Sequence, residues 1–189
     1  KREGTTIPHL CHSGEIGYRA DGNCRACMVE IEGERVLAAS CVRKPAKGMV
    51  VNVSGDRAQK ARATVIELLI GDQPELKSAH DKSSHLWKTA QQQGVQTSRF
   101  PKIEGSYVPL LDDSHVAMNV NLDACIQCNL CVRACREVQV NDVIGMAGRG
   151  RTAKIVFDQD DLMGSSSCVA CGECVQACPT GALMPATSL

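Results

Sequence analysis

Two cysteine runs constrain this chain more than any other feature of its sequence. Residues 125–135 and residues 168–178 both follow the pattern C-x2-C-x2-C-x3-C. A cubane iron-sulfur cluster needs four thiolates that converge from different directions, and the x2 spacings let a tight loop wrap three of them around one cube. The fourth cysteine lies one turn into a following helix and points toward a second cluster. The sequence therefore predicts two cubanes whose ligands are shared between the runs.

The two predicted ligand sets are crossed. The first cubane site takes the first three cysteines of the first run and the last of the second, namely Cys125, Cys128, Cys131 and Cys178. The second cubane site takes the remaining four, namely Cys135, Cys168, Cys171 and Cys174. Crossed ligation brings two 4Fe-4S clusters close together. Such a pair forms a path for electrons, and we expect loss of iron to unfold this part of the chain.

Two other uses of the cysteines fit the spacing poorly. A four-cysteine zinc ribbon has paired C-x2-C knuckles and no role for the third and fourth cysteines of each run. A disulfide framework suits a small secreted domain and does not explain a doubled run. Cysteines that all serve as cluster ligands indicate a reducing compartment, so the expected localisation is cytoplasmic.

Length and composition set the broad class. The chain has 189 residues, of which 43% are hydrophobic, as in a globular protein of one or two domains. Its 21 basic and 21 acidic residues balance, so no overall field favours nucleic acid or anionic lipid as a partner. No apolar stretch approaches the roughly 18 residues that would span a bilayer, and residues 1–10 do not read as a signal peptide, so neither a membrane span nor a secretory signal is expected.

Residues 1–53 carry a second iron-sulfur pattern of another kind. Four cysteines are spaced C-x12-C-x2-C-x13-C among several glycines, which predicts a 2Fe-2S site of Cys11, Cys24, Cys27 and Cys41. Glycines allow the wrapping loop to take up positive φ angles. The alternation over residues 28–32 predicts a strand that enters a hairpin, and residues 36–39 are the expected return strand that delivers Cys41.

The motifs around these cysteines resemble a known module. Residues 8–11, 22–30 and 39–41, which read PHLC, GNCRACMVE and ASC, look like the β-grasp ferredoxin domain in the large iron-sulfur subunit of respiratory complex I. The same module occurs in the diaphorase subunit of NAD-reducing hydrogenases and in the alpha subunit of NAD-dependent formate dehydrogenases, to which the motifs are most similar. The order of modules matches too, with the 2Fe-2S module before a bacterial-type ferredoxin with two 4Fe-4S clusters.

The resemblance implies an α+β chain of three parts. Residues 1–53 would form a truncated β-grasp 2Fe-2S domain, residues 54–115 a helical linker, and residues 116–189 the two-4Fe-4S ferredoxin domain. The β-grasp domain of that family opens with a hairpin that this sequence does not show, and residues 184–189 read as a linker. We therefore expect the sequence to be a fragment of a longer polypeptide.

The linker is predicted to contain two helices. One spans residues 54–71, with Ser54 as its cap and an apolar face of Ala58, Ala61, Val65, Leu68 and Leu69. The other spans residues 84–94 and turns Leu86, Trp87 and Ala90 inward. Complex I has a further cluster here, held by one histidine and three cysteines. This chain has His80 and His85 but no cysteine between Cys41 and Cys125, so that cluster should be absent.

The remaining connections are predicted to be short elements. Residues 98–110 read as an extended loop, and residues 116–121 as a strand that leads into the first cysteine run. Residues 138–146 and 153–157 are expected to form a hairpin whose turn contains Arg149 and Arg151. Four residues beside the ligands are candidates to tune the cluster potentials: Asn129, Arg133, Arg136 and Glu173.

No group of residues resembles a site that converts a substrate, so the predicted chemistry is electron transfer only and no catalytic residue is assigned. By the resemblance, electrons leave a Mo/W-bis-pterin centre in a missing C-terminal domain, pass through the cubanes and the 2Fe-2S cluster, and reach an FMN-containing partner subunit that reduces NAD. The predicted function is thus the wiring segment of an NAD-dependent formate dehydrogenase. Two alternatives are a stand-alone diaphorase-type subunit of a hydrogenase or complex I-like enzyme, and an iron-sulfur redox sensor.

Overall fold

The structure is a computed structural model that describes residues 4–101 and 111–188. Three small antiparallel sheets and four short to medium α-helices make up the regular structure of these residues. The strands are β1 (Met28–Ile31), β2 (Ala38–Ala39), β3 (Val51–Asn52), β4 (Asp112–His115), β5 (Met118–Val120), β6 (Ile144–Ala147), β7 (Lys154–Phe157) and β8 (Leu183–Pro185). The α-helices are α1 (Asp56–Gly71), α2 (His85–Gln92), α3 (Leu130–Arg133) and α4 (Glu173–Ala177).

The N-terminal sheet has the order β2-β1-β3 and confirms the predicted hairpin. Met28 of β1 pairs with Ala39 of β2, and Cys41 lies two residues after that pair. Helix α1 packs against β1 and also against α2. Their shared apolar core contains Leu10, Ala26, Ile66, Ile70, Leu86, Trp87 and Ala90. Burial of this core holds residues 9–27, which we call the 2Fe-2S loop, onto the helices.

Helix α1 confirms the predicted element but corrects its cap and its face. Gly55 occupies the cap position and no side chain caps the helix, so the Ser54 prediction was wrong. The buried residues recur every four positions as Ala58, Arg62, Ile66 and Ile70, whereas Leu68 is exposed. An arginine occupies the buried face because its Nη1 donates to the carbonyl oxygens of Met28 (3.0 Å) and Val53 (2.8 Å). Of the predicted face, Ala58 is buried, and Val65 and Leu69 are partly buried against the same core, but the prediction omitted Arg62, Ile66 and Ile70.

Helix α2 agrees with its prediction. The Ser84 hydroxyl accepts a hydrogen bond from the Trp87 amide and caps the first turn. Leu86, Trp87 and Ala90 are buried as expected. Trp87 is therefore a core residue between α1 and α2.

The C-terminal part contains a sheet in the order β4-β5-β8 and the β6-β7 hairpin. Strand β5 lies within the predicted strand 116–121, and the hairpin pairs Ile144 with Phe157 as predicted. Its first strand begins later than expected, because residues 134–138 instead continue α3 as a π-helical turn. The core between these elements is formed by residues such as Met118, Ile155, Phe157 and Met163, together with three of the cysteines.

Two predictions stay open at this level. The predicted loop 98–110 falls mostly outside the described residues. The division at 53/54 and 115/116 stays a prediction, and β4, which precedes the second boundary, pairs with β5, which follows it.

Candidate iron-sulfur centres

The two cysteine runs share an unusual backbone conformation. The residue before the second cysteine has a positive φ in both, at Gln127 (54°) and Ala170 (59°). The residue after the second cysteine repeats this, at Asn129 (62°) and Gly172 (77°). Residues other than glycine adopt this region at a cost of roughly 1–2 kcal/mol. The same strain at matched positions indicates that both loops are shaped to wrap a similar object.

Backbone amides in these loops are directed at the cysteine sulfurs. The Gln127 amide lies 3.4 Å from Cys125 Sγ, and the Ala170 amide lies 3.4 Å from Cys168 Sγ. In the N-terminal loop the Ala26 amide lies 3.5 Å from Cys24 Sγ. Hydrogen bonds of this kind stabilise a thiolate and are one of the means by which proteins set the potential of a cluster.

The residues of the predicted second cubane site meet around one recess. Cys135, Cys168, Cys171 and Cys174 all line it, although Cys135 belongs to the first run. Cys135 lies in the π-helical turn after α3, and its sulfur accepts from the Val143 amide at 3.3 Å. Asn141 Nδ2 lies 3.9 Å from Cys171 Sγ. The recess thus brings together the crossed set that the spacing predicts.

The residues of the predicted first cubane site influence one another electrostatically. Burial raises the pKa of Cys125 to about 11 and that of Cys128 to about 12, and negative charge on Cys178 adds to both shifts. Burial raises the pKa of Cys131 well above its ordinary value, with further contributions from Cys128, Cys125 and Cys178. Cys178 therefore lies near the first run even though it belongs to the second.

The four N-terminal cysteines form two neighbouring pairs. A hydrogen bond from Cys24 lowers the pKa of Cys11 to about 5 and raises that of Cys24. Burial and a hydrogen bond to Cys27 raise the pKa of Cys41 to about 12, and charge on Cys11 contributes as well. Two adjacent pairs are the arrangement that two bridged irons need, with two thiolates for each.

The donor sets fit iron-sulfur clusters chemically. Most of these thiols are buried or partly buried, and a buried thiolate is stable only beside positive charge, which iron supplies. Within residues 4–101 and 111–188, no three His, Cys, Asp or Glu side chains lie close enough together to hold a single metal ion. Assignment of the twelve cysteines to three clusters stays a prediction.

The 2Fe-2S loop lies directly against both cysteine runs. Cys11, Cys128 and Leu130 are buried in one apolar cluster. Tyr18 donates from its hydroxyl to Glu173 Oε1 of the second run at 2.9 Å, and burial, with this carboxylate, raises its pKa. Arg133, at the end of α3, reaches the carbonyl oxygen of Cys11 at 2.7 Å. Of the four candidate tuning residues, Arg133 and Glu173 thus contact the 2Fe-2S loop.

Arg136 and both linker histidines have polar partners, whereas the buried Oδ1 of Asn129 has no hydrogen-bond partner among the described residues. Arg136 is exposed and pairs with Asp142, and Asn129 provides the strained turn before α3. His80 Nε2 lies 2.9 Å from the carboxylate of Asp123, and His85 Nε2 donates to a backbone carbonyl oxygen of the 2Fe-2S loop at 2.6 Å.

Thr180 is a residue beside the ligands that sequence reasoning missed. Its hydroxyl lies 3.6 Å from Cys178 Sγ. The sequence signal that could have identified Thr180 is its position two residues after Cys178, a predicted ligand.

The three predicted cysteine sites, together with the mixed helix and strand architecture, define the class of iron-sulfur electron-transfer modules with an α+β fold. The family described as a 2Fe-2S iron-sulfur cluster binding domain matches residues 1–56. The 4Fe-4S dicluster domain family matches residues 124–182. One 2Fe-2S site and a pair of 4Fe-4S sites are therefore the cofactor content of these two families.

Over nearly its whole length the chain is related to the iron-sulfur regions of larger oxidoreductase subunits. It is 35% identical over 184 residues to the NADP-reducing hydrogenase subunit HndD of Solidesulfovibrio fructosivorans, covering 94% of this chain and 31% of the relative. It is 30% identical over 183 residues to the mitochondrial NADH-ubiquinone oxidoreductase 78 kDa subunit of Candida albicans, covering 95% of this chain and 25% of the relative. A putative formate dehydrogenase of Staphylococcus haemolyticus is 25% identical over 187 residues, covering 97% of this chain and 18% of the relative.

A solved structure supports the same relationship. One chain of an NAD+-reducing [NiFe]-hydrogenase in the H2-reduced state superposes with a TM-score of 0.85 at 27% identity, covering 97% of this chain and 77% of that chain. The chain spans about a fifth to a third of the length of the curated relatives named above. In the described part of the chain, no helix has the length and apolar character needed to cross a membrane.

Proposed function

We propose that this chain is an iron-sulfur wiring segment that relays single electrons between a substrate-converting domain and a flavin- and NAD-binding subunit. The twelve cysteines hold one 2Fe-2S and two 4Fe-4S clusters in the sets given above. When bound, the clusters would supply one-electron transfer. The chain's own residues set the spacing of the sites, bury them and place amides and hydroxyls against the sulfurs.

The observation that carries this proposal is the crossed grouping of the cysteines. Cys135 lines one recess with Cys168, Cys171 and Cys174, while Cys178 acts on the pKa values of Cys125 and Cys128. A zinc knuckle would group each cysteine with its neighbours in sequence. The shared burial of Cys11 and Cys128 in one apolar cluster supports a continuous route from the first cubane site to the 2Fe-2S site.

Iron and sulfide analysis of the anaerobically purified chain, with low-temperature EPR during a reductive titration, tests the proposal. About ten irons per chain, from 2 + 4 + 4, would appear as one 2Fe-2S and two 4Fe-4S signals. About fourteen irons would mean that residues 54–115 hold a further cluster. Zinc in place of iron would overturn the proposal.

For the parent enzyme we propose a formate dehydrogenase-type NAD-linked oxidoreductase, in which a Mo/W-bis-pterin domain of the same polypeptide supplies electrons to this segment. The motif resemblance supports it, and so does the relationship to the putative formate dehydrogenase. The partner would be an iron-sulfur subunit that binds FMN and NAD.

A hydrogenase-type parent is the second candidate. The 35% identity to a hydrogenase subunit and the superposition on an NAD+-reducing hydrogenase favour it. The two are separated by reduction of the intact natural complex under either formate or hydrogen, with the cluster EPR signals as readout. Signals that appear with formate alone support the first candidate, and signals that appear with hydrogen alone support the second.

A further inference from the structure

Arg133 joins the 2Fe-2S loop to the first cubane site through a single buried guanidinium group. Its side chain is only 2% exposed. From the 2Fe-2S loop it meets the carbonyl oxygens of Cys11 (2.7 Å) and Arg19 and the carboxylate of Asp21 (3.2 Å). Those groups lie more than a hundred residues away in sequence from Arg133.

The same guanidinium group also contacts the first cysteine run, to which Arg133 itself belongs. Its Nη2 lies 3.5 Å from the Cys128 carbonyl oxygen, and its Nε lies 3.4 Å from the Asn129 carbonyl oxygen. Cys11 and Cys128 are ligands of different clusters in the proposed assignment. Because the peptide unit is rigid, fixing their carbonyl oxygens also fixes the peptide planes that follow both ligands. One side chain thereby sets the relative placement of two cluster sites.

Only arginine has the geometry for this arrangement. Its guanidinium is planar and carries five N–H donors in a rigid fork, whereas lysine offers three donors on a compact point charge. A lysine at this position would keep the positive charge but would leave some of the carbonyl groups without a donor. Charge and geometry can therefore be separated by substitution.

We propose that Arg133 is a positioning residue that fixes the distance and orientation between the 2Fe-2S site and the first cubane site, and with them the magnetic coupling between the two clusters. This inference rests on the proposed cluster assignment. Asn23 assists, since its Nδ2 donates to the same Cys128 carbonyl oxygen at 3.3 Å. Arg133 and Asn23 thereby hold together the buried cluster that contains Cys11, Cys128 and Leu130.

The test compares Arg133→Lys with Arg62→Lys. Arg62 is a matched control because it is similarly buried and also donates to two backbone carbonyl groups, but both lie within the N-terminal module. Iron content is measured first, and then the spin-spin interaction between the reduced 2Fe-2S and 4Fe-4S clusters is measured by low-temperature EPR. With full iron content, we expect Arg133→Lys to lose most of that interaction and Arg62→Lys to keep it.

A second variant keeps the test decisive if Arg133→Lys does not retain iron. Asp21→Ala removes the carboxylate that holds the guanidinium and leaves both cysteine runs unchanged, so we expect a partial loss of the interaction at full iron content. Wild-type interaction in an iron-replete Arg133→Lys or Asp21→Ala chain would overturn the proposal, and so would an equal loss in Arg62→Lys. A wild-type chain without the three clusters would instead refute the proposed function.

Discussion

Single residues beyond the cysteines adjust the sites. The strained φ angles at Gln127 and Ala170, and the amides that they direct at Cys125 and Cys168, repeat almost identically in the two runs. Sequence spacing predicted the ligands, but the sulfur contacts of the Thr180 hydroxyl and of the amide that meets Cys135 depend on how the chain returns after each run. Ligand crossing and the Thr180 hydroxyl are each testable by substitution.

The crossed assignment predicts different lesions for the last cysteine of each run. Cys135→Ser should damage the cluster of Cys168, Cys171 and Cys174 and spare the first cubane site, because Cys135 lines the recess of the second set. The reciprocal variant Cys178→Ser should damage the first cubane site. EPR spectra of the two variants check this. Loss of the signal of the first cubane site in Cys135→Ser, or of the second cubane site in Cys178→Ser, would show that the ligation is not crossed.

The Thr180 hydroxyl should raise the potential of the first cubane site, because it can donate to the Cys178 thiolate. A hydrogen bond that differs by about 1 kcal/mol between oxidation states corresponds to a shift of roughly 40 mV for one electron. We expect Thr180→Val to lower that potential by about this amount in a redox titration followed by EPR.

Thr180→Ser is the control, since it keeps the hydroxyl and should leave the potential near the wild-type value. An unchanged potential in Thr180→Val would mean that the hydroxyl does not act on the cluster. The buried Ala182 amide also donates to Thr180 Oγ1, so a modest loss of stability should accompany the valine variant alone.

At the scale of elements, periodicity predicted which segments are regular but not always how they face the core. Helix α2 and strand β7 lie where the pattern placed them, whereas β6 begins at Ile144, later than expected. Helix α1 lies on its predicted segment but turns Arg62 inward, because the carbonyl groups of β1 and of Val53 supply acceptors. The burial of a polar residue on a helix face can be predicted only when its hydrogen-bond acceptors, which are distant in sequence, are known.

Strand β4 approaches residues 163–165 closely at Gly164. A Cβ atom at Gly164 would lie 2.3 Å from the Ser114 carbonyl oxygen, which is part of β4. We therefore expect Gly164→Ala to lower the free energy of unfolding by about 1–3 kcal/mol through overpacking. Chemical denaturation of the cluster-loaded chain measures this effect.

Gly14→Ala is the matched control for this close approach. A Cβ atom at Gly14 would meet no atom within 4 Å, so its stability should stay close to that of the wild type. Equal changes in the free energy of unfolding for the two substitutions would indicate that the contact with β4 does not exclude a side chain at position 164.

At the scale of the whole molecule, we expect the stability of the two halves of the chain to depend on their clusters to different degrees. The core around β5, β6 and β7 includes Cys131, Cys135 and Cys174 among its buried members. The core around α1 and α2 is built from aliphatic residues and Trp87, with only Cys24 of the cysteines at its margin. Metal-dependent stability should therefore be concentrated in the C-terminal half.

Removal of iron by a chelator should unfold residues 116–188 before residues 56–92. Hydrogen-exchange mass spectrometry of the cluster-loaded and chelated chain measures this, with loss of protection expected first in peptides from the C-terminal half. Peptides from α1 and α2 serve as the internal reference. Simultaneous loss of protection in both halves would show that the aliphatic core does not hold without the clusters.

The sequence by itself determined the chemistry of this protein and much of its local structure. Cysteine spacing predicts ligands because a cluster constrains the few residues that wrap it, and periodicity predicts helices and hairpins because both are local. Only the tertiary structure decided how the sites are joined. Tyr18 meets Glu173 across 155 positions of sequence, and Arg133 meets Cys11 across 122. Such contacts depend on where carbonyl and carboxylate oxygens come to lie after folding, and no local pattern records that position.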